Sequence, residues 1–167
     1  MKRWVQFIIA MVISFLPGIF GMFFTPHGDG NIWYMALAKT GLTPPGWVFS
    51  VAWTILYFLI GWALYLIIKH AKKHSEKMRA YFLFAIQLVL NAIWPYVFFG
   101  LNMPGFALVI LLTLFLVVTW MARAFFQLDR RTVYMLIPYL LWLMFLHVLH
   151  VLIQLRLEHQ LLFEVLY

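Results

Sequence analysis

The stretch Phe106 to Phe126, FALVILLTLFLVVTWMARAFF, decides the fold: one charge, Arg123, interrupts an otherwise apolar run of 21 residues. As a helix it rises about 31 Å, enough to cross a hydrocarbon layer ~30 Å thick. Ala107 to Val118 lacks the period-2 alternation of a barrel strand, so a closed β-barrel is excluded and a membrane helix remains. Four more blocks of the same kind flank it, at about Val5–Phe24, Trp47–Ile68, Ala80–Phe99 and Thr132–Leu155. The expected fold is an all-α bundle of five transmembrane helices. It forms one domain over residues 1–156, followed by a tail at 157–167. Composition agrees: 66% of the 167 residues are hydrophobic, 20% aromatic and 10% charged, too little polar surface for a water-soluble domain. Met1-Lys2-Arg3 precedes the first block without a later small-residue cleavage site, so that block reads as a retained span.

The separators carry the charge. Lys2, Arg3, Lys69, Lys72, Lys73, Lys77, Arg79, Arg130 and Arg131 fall on one side of five alternating spans. Only Lys39 and Arg156 fall on the other, with Arg123 left inside or snorkelling. The net charge of +7 is therefore a topology signal rather than a nucleic-acid footprint. It puts the N-terminus in the cytoplasm of a bacterial cell and the long Thr25–Gly46 connection and the C-terminus outside. Three readings stay open for the tail: an extension of the fifth helix, an interfacial segment, or residues appended to the natural chain.

Catalytic sets are scarce. Asp29, Glu76, Asp129, Glu158 and Glu164 all lie in loops or tail, so no carboxylate pair is expected within the membrane. The chain contains no G-x-S-x-G, H-E-x-x-H or Walker loop, which argues against a hydrolase or an ATP-driven pump. With no cysteine, disulfides and thiolate metal sites are excluded.

Buried polar groups are the next candidates, because placing them in a membrane is costly. Gln87 and Asn91 are spaced i, i+4 on the third block, and His147 and His150 i, i+3 on the fifth. Three readings apply: interhelical hydrogen bonding, polar atoms offered to a ligand, and, for the histidines, ligation of a metal or haem iron. Trp33, Trp47 and Trp62 suit interfacial belts. Trp53, Trp94 and Trp142 come mid-block or beside a proline and suit the lining of a site for a flat apolar ligand. Pro45 suits a first helical turn, whereas Pro17, Pro95 and Pro138 each fall inside a span. They open its hydrogen-bond ladder, from which an internal cavity is expected.

Several motifs then carry a resemblance. They are Trp33-Tyr34-x-x-Leu37-x-Lys39, Thr43-Pro44-Pro45-x-Trp47-Val48-Phe49-x-x-x-Trp53-Thr54-x-Leu56-Tyr57-x-x-x-Gly61, Gln87-Leu88-x-Leu90-Asn91-x-x-Trp94-Pro95-x-x-Phe98-Phe99-Gly100 and Pro138-Tyr139-Leu140-x-Trp142-x-x-Phe145. Over about residues 5 to 156 the chain resembles the translocator protein family. That is the TspO or tryptophan-rich sensory protein family, also called the peripheral-type benzodiazepine receptor family. The resemblance implies a five-helix membrane protein, a homodimer, that needs no cofactor and binds porphyrins such as protoporphyrin IX as a sensor or transporter. It also implies two alternatives: light-dependent porphyrin breakdown, with Trp53 and Trp142 as the participating tryptophans, and translocation of a sterol or other small apolar ligand. The ligand-binding residues expected on this basis are Trp47, Phe49, Trp53, Tyr57, Asn91, Trp94, Tyr139, Trp142, Phe145, Leu146 and His150. No metal site is expected beyond a minority reading of His150 as a haem-iron ligand.

The fifth block departs from the family pattern at Leu146, Leu149, His150 and Val151, where the family usually carries a small residue, then Leu-Asn and an aromatic. Leucine for alanine adds three carbons to the expected pocket wall, and histidine for asparagine adds a ring nitrogen. No tyrosine occurs between Leu149 and Arg156, so the sterol motif of animal members is missing there. Leu59, Tyr65 and Lys69 fit the loose sterol pattern elsewhere, a match of little specificity.

Overall fold

The computed structural model describes residues 2–25, 33, 43–70 and 74–166. It is 91% helical, with five long helices, and no strand occurs among the described residues. They are α1 (Arg3–Met22), α2 (Gly46–His70), α3 (His74–Pro95), α4 (Pro104–Leu128) and α5 (Thr132–Leu166). Each is long and apolar enough to span a bilayer. Their principal packing partners close a ring in the order α1, α2, α5, α4, α3 and back to α1.

Local chemistry sets the ends. Pro44 and Pro45 lead into α2 one residue ahead of its start, and the Pro45 carbonyl takes the Val48 N–H at 2.9 Å. Pro104 occupies the first turn of α4, where its missing N–H costs nothing. Between α3 and α4 the chain widens into a π-helical turn, Tyr96–Gly100, directly after Pro95. Leu101 N–H closes that turn on Tyr96 O at 2.9 Å, and Asn102 reverses the chain at a φ of 56°.

Two boundaries differ from the sequence expectation. The basic stretch before Ala80 is not a separator throughout: α3 starts at His74, and Lys77 Nζ reaches back to the Ile68 carbonyl at 3.4 Å. Lysine and arginine are good helix formers, so charge ends the apolar layer without ending the helix. Of the three readings for the tail, helix extension is the one observed. At 35 residues α5 is about 52 Å long, well beyond the hydrocarbon thickness.

α1 buries Ala10, Ser14, Pro17 and Gly21, a stripe of small residues along one face. It lets backbones approach closely, the way helices associate where apolar burial gives no drive. At Gly61 of α2 an added Cβ would lie 3.3 Å from the Ala10 carbonyl and 3.2 Å from Ser14 Oγ. Arg123 is exposed on α4, on the turn before the polar end.

Candidate ligand-binding cavity

The helices part at one end of the ring. A cavity of about 720 Å³ lies between the C-terminal halves of α1 and α3, the middle of α5 and the first three turns of α2, and α4 contributes nothing to it. Ladder defects surround it. Pro17 and Pro95 both line the wall, with Gly18, Gly21 and Gly46, whereas Pro138 does not. Proline removes a donor and glycine removes volume, so helices meeting at such residues leave space that rigid rings then border.

Those rings come as stacked pairs: Trp53 on Tyr57, centroids 5.5 Å apart, and Trp94 on Phe98, also 5.5 Å apart. Among the described residues the lining contains no lysine, arginine, aspartate or glutamate. Beneath the cavity a hydrogen-bonded chain joins three helices. Tyr57 Oη donates to Asn91 Oδ1 (3.0 Å), Asn91 Nδ2 to Tyr139 Oη (2.7 Å), and Tyr139 Oη to Gln87 Oε1 (3.2 Å). Asn91 is oriented by this chain, and so is the Tyr57 ring. Gly18 makes room for that ring: a Cβ there would sit 2.5 Å from Tyr57 Cε2.

Two buried polar atoms at the wall have no partner among the described residues, Trp94 Nε1 and His150 Nε2. His150 uses its other nitrogen locally, since Nδ1 lies 3.0 Å from the Leu146 carbonyl, which can only accept, so Nδ1 carries the proton. His147 makes the same bond to Leu143 O at 2.9 Å, but its ring packs on Phe115 of α4, away from the cavity. The two histidines thus leave α5 on different sides.

Of the eleven residues expected from sequence to form the site, eight line the cavity: Trp47, Phe49, Trp53, Tyr57, Asn91, Trp94, Leu146 and His150. Tyr139, Trp142 and Phe145 do not. Tyr139 is fully buried under the floor because its hydroxyl is held between Asn91 and Gln87. Trp142 stands behind the wall, edge-on to Phe49 (5.7 Å) and Trp53 (6.5 Å), and Phe145 tilts against it at 5.4 Å. Trp47 is 69% exposed at the rim, in keeping with an interfacial belt. Trp33 packs edge-on to Phe98 at 5.6 Å. Tyr34, Leu37 and Lys39 of the first motif lie outside the described residues, as do Asp29, Lys72 and Lys73.

Sequence reasoning missed the contribution of α1, from Phe15 to Met22, and of Thr25 just beyond it, and that of Phe98, Phe99, Leu149 and Ile153. The Pro17-Gly18-x-x-Gly21 cluster was the available signal for α1. Leu149 and Ile153 follow Leu146 and His150 at helical spacing, and that stripe points to the same wall.

A family model for the TspO/MBR family matches residues 8–156. The chain is 36% identical over 146 residues to the tryptophan-rich protein TspO of Chlorobaculum tepidum, covering 86% of this chain and 90% of that protein. It is 34% identical to the protein of that name from Archaeoglobus fulgidus, covering 83% and 88%. The human translocator protein is 38% identical over 120 residues, 71% of each chain. The match runs through all five helices and every element that borders the cavity, and on that ground the chain belongs to the TspO/MBR family.

Proposed function

We propose that this integral membrane protein binds a tetrapyrrole of the protoporphyrin IX type in the cavity and acts as a sensor or transporter of it. The observation that carries the reading is the wall itself: about 720 Å³, aromatic pairs, no charged side chain among the described lining residues, and two unpaired polar atoms. A volume of that size suits one flat polycyclic molecule. Indole and phenol faces offer it stacking. Ionised propionates find no cation among the described lining residues, so they sit at the rim, where Trp47 is exposed.

The nine-to-two distribution of lysine and arginine supports a cytoplasmic N-terminus. The homodimer belongs to this reading on family likeness, and mass measurement in detergent tests it.

Protoporphyrin IX titrated into the purified protein is expected to quench tryptophan fluorescence saturably. Trp53→Phe weakens the quenching, because Trp53 is in the wall, and it does so more than Trp142→Phe, whose indole stands behind. Absence of saturable quenching overturns the proposal. Illuminating the same complex and following the Soret band separates a binder, which bleaches no faster than free pigment, from a protein that degrades its ligand.

A further inference from the structure

We propose that the lipid-facing side of α4 at its basic end, where Arg123, Phe126 and Arg130 meet the membrane surface, binds the headgroup of an anionic phospholipid. α4 contributes nothing to the cavity, so this site is separate from the tetrapyrrole reading and does not depend on it. Arg123 is the one charge in the apolar run Phe106–Phe126, and it is exposed on the same helix face as Leu112, Leu116 and Trp120, which are exposed at helical spacing before it. That face turns outward, toward lipid. A guanidinium on such a surface is costly unless an anion or the interface receives it. Arg123 stands five residues before Leu128, about 7.5 Å below the end of α4, a depth from which an extended arginine reaches the phosphate level.

Among the described residues Arg123 meets no carboxylate, and neither does Arg130. Arg130, just past the end of α4, places its guanidinium carbon 5.9 Å from the centre of the Phe126 ring, and Phe126 follows Arg123 at i+3 on the exposed face. The ring links two cations along one face, with Trp120 one turn further into the apolar layer. Arginine suits a phosphate because its planar fork donates two parallel N–H bonds to it. Charge complementarity names the occupant. This end of the bundle carries nine other or adjoining lysines and arginines, Arg130 among them, against two carboxylates, Glu76 and Asp129. Asp129 is already held by Arg131 at 2.7 Å and by His70 at 2.9 Å. A second copy of this chain brings only the same two carboxylates to this level, whereas each anionic lipid brings a phosphate, with acyl chains to cover Leu116 and Leu112. A phosphocholine head fits less well, because its own cation faces the two guanidiniums.

The test uses the full-length protein in detergent, with native mass spectrometry counting bound lipids and two probes of identical acyl chains, phosphatidylglycerol and phosphatidylcholine. The wild type is expected to bind the first phosphatidylglycerol about twenty-five-fold more tightly than phosphatidylcholine, and Arg123→Gln and Arg130→Gln each remove about fivefold of that preference. The double variant retains none of it. All three keep the wild-type affinity for phosphatidylcholine, which also shows that they fold. Arg123→Lys keeps the charge but not the fork, and falls between the wild type and Arg123→Gln. Arg3→Gln removes one charge from the same end of the bundle on α1, which is not a principal neighbour of α4, and is expected to match the wild type. Equal losses in Arg3→Gln and Arg123→Gln would mean a diffuse basic surface and overturn the site. A double variant that keeps the preference overturns it as well. So does a double variant whose oligomeric state changes in phosphatidylcholine alone, since the face would then be an interface between copies.

Discussion

The two ends of the bundle are built from the same five helices and pack in opposite ways. Toward the basic loops, Ile60, Ile67, Ala80, Phe84, Met121, Phe125 and Leu143 are all buried, and Phe84 stacks on Phe125. Toward the other end the same helices border an open volume of about 720 Å³. Hydrophobicity does not separate the two ends; residue shape does. At the closed end aliphatic side chains, small residues and the stacked Phe84–Phe125 pair fill the space between the helices. The open end pairs prolines and glycines with aromatic rings, which cannot fold into the gaps those residues leave. The polar chain from Tyr57 to Gln87 runs along the boundary and fixes where one regime gives way to the other.

Two glycines of α2 put this contrast to its strongest test. At Gly61, in the closed end, a new Cβ meets Met11 Sδ at 2.9 Å, Ser14 Oγ at 3.2 Å and the Ala10 carbonyl at 3.3 Å. Met11 can move, but a helix backbone cannot, so Gly61→Ala is expected to destabilise by about 1–3 kcal/mol, read as a lowered Tm in detergent. Gly46, at the open end, meets nothing within 4 Å. Gly46→Ala is expected to be neutral or to stabilise by up to about 1 kcal/mol by restricting the unfolded chain. Equal losses at the two positions would mean that the ends pack alike.

The fold was legible because membrane spans are written in length and hydropathy, which survive any detail of packing. Span ends were less so. Lys77 and Arg79 stop the apolar layer but not α3, and the polar tail after Leu155 does not stop α5. The site was legible on α2 and α3, where tryptophans, a buried amide and prolines coincide in short motifs. On α5 the family resemblance put Leu146 and His150 in the wall, yet it could not tell which aromatic reaches the cavity. Tyr139 is drawn down by a hydroxyl bond, and Trp142 and Phe145 turn behind the wall. The α1 side stayed unread because no tryptophan or buried amide marks it: Phe15, Ile19 and Met22 look like any apolar span, and Gly18 and Gly21 become part of the wall only when Tyr57 and Pro95 pack against them.

Tyr139→Phe probes the boundary itself, with a smaller effect. Removing the hydroxyl leaves Asn91 Nδ2 and Gln87 Oε1 without their partner and changes little else. Interhelical hydrogen bonds in membrane proteins are individually modest, so the expected loss is about 1–2 kcal/mol for the two together. Because Asn91 then holds Tyr57 less firmly, ligand affinity is expected to fall with stability. Gly61→Ala, by contrast, is expected to lower stability alone. A Tyr139→Phe variant with lowered Tm and unchanged ligand affinity would show that the floor of the cavity is set without this chain.

The smallest effect is expected at the loop that closes the basic end, and its sign is fixed by Asp129. The Arg131 guanidinium bonds its carboxylate through Nε at 3.0 Å and Nη2 at 2.7 Å, and His70 Nδ1 from α2 lies 2.9 Å away. The Arg131 bond, ahead of the pull of its charge and that of His70, holds the carboxyl down to about 2. An unfolded aspartate titrates near 3.9, so the contribution of this cluster is complete above about pH 4 and is lost as pH falls through 2. The wild type is therefore expected to lose Tm between pH 4 and pH 2 relative to Asp129→Asn, which lacks the titrating group. Hydrogen exchange localises the effect. Amides near His70 and Thr132 lose protection in that window, while those of residues 49–57, at the end where no carboxylate lines the cavity among the described residues, do not follow. Parallel loss at both ends would mean that the loop clamp also holds the cavity open, and that the two ends are one cooperative unit rather than two.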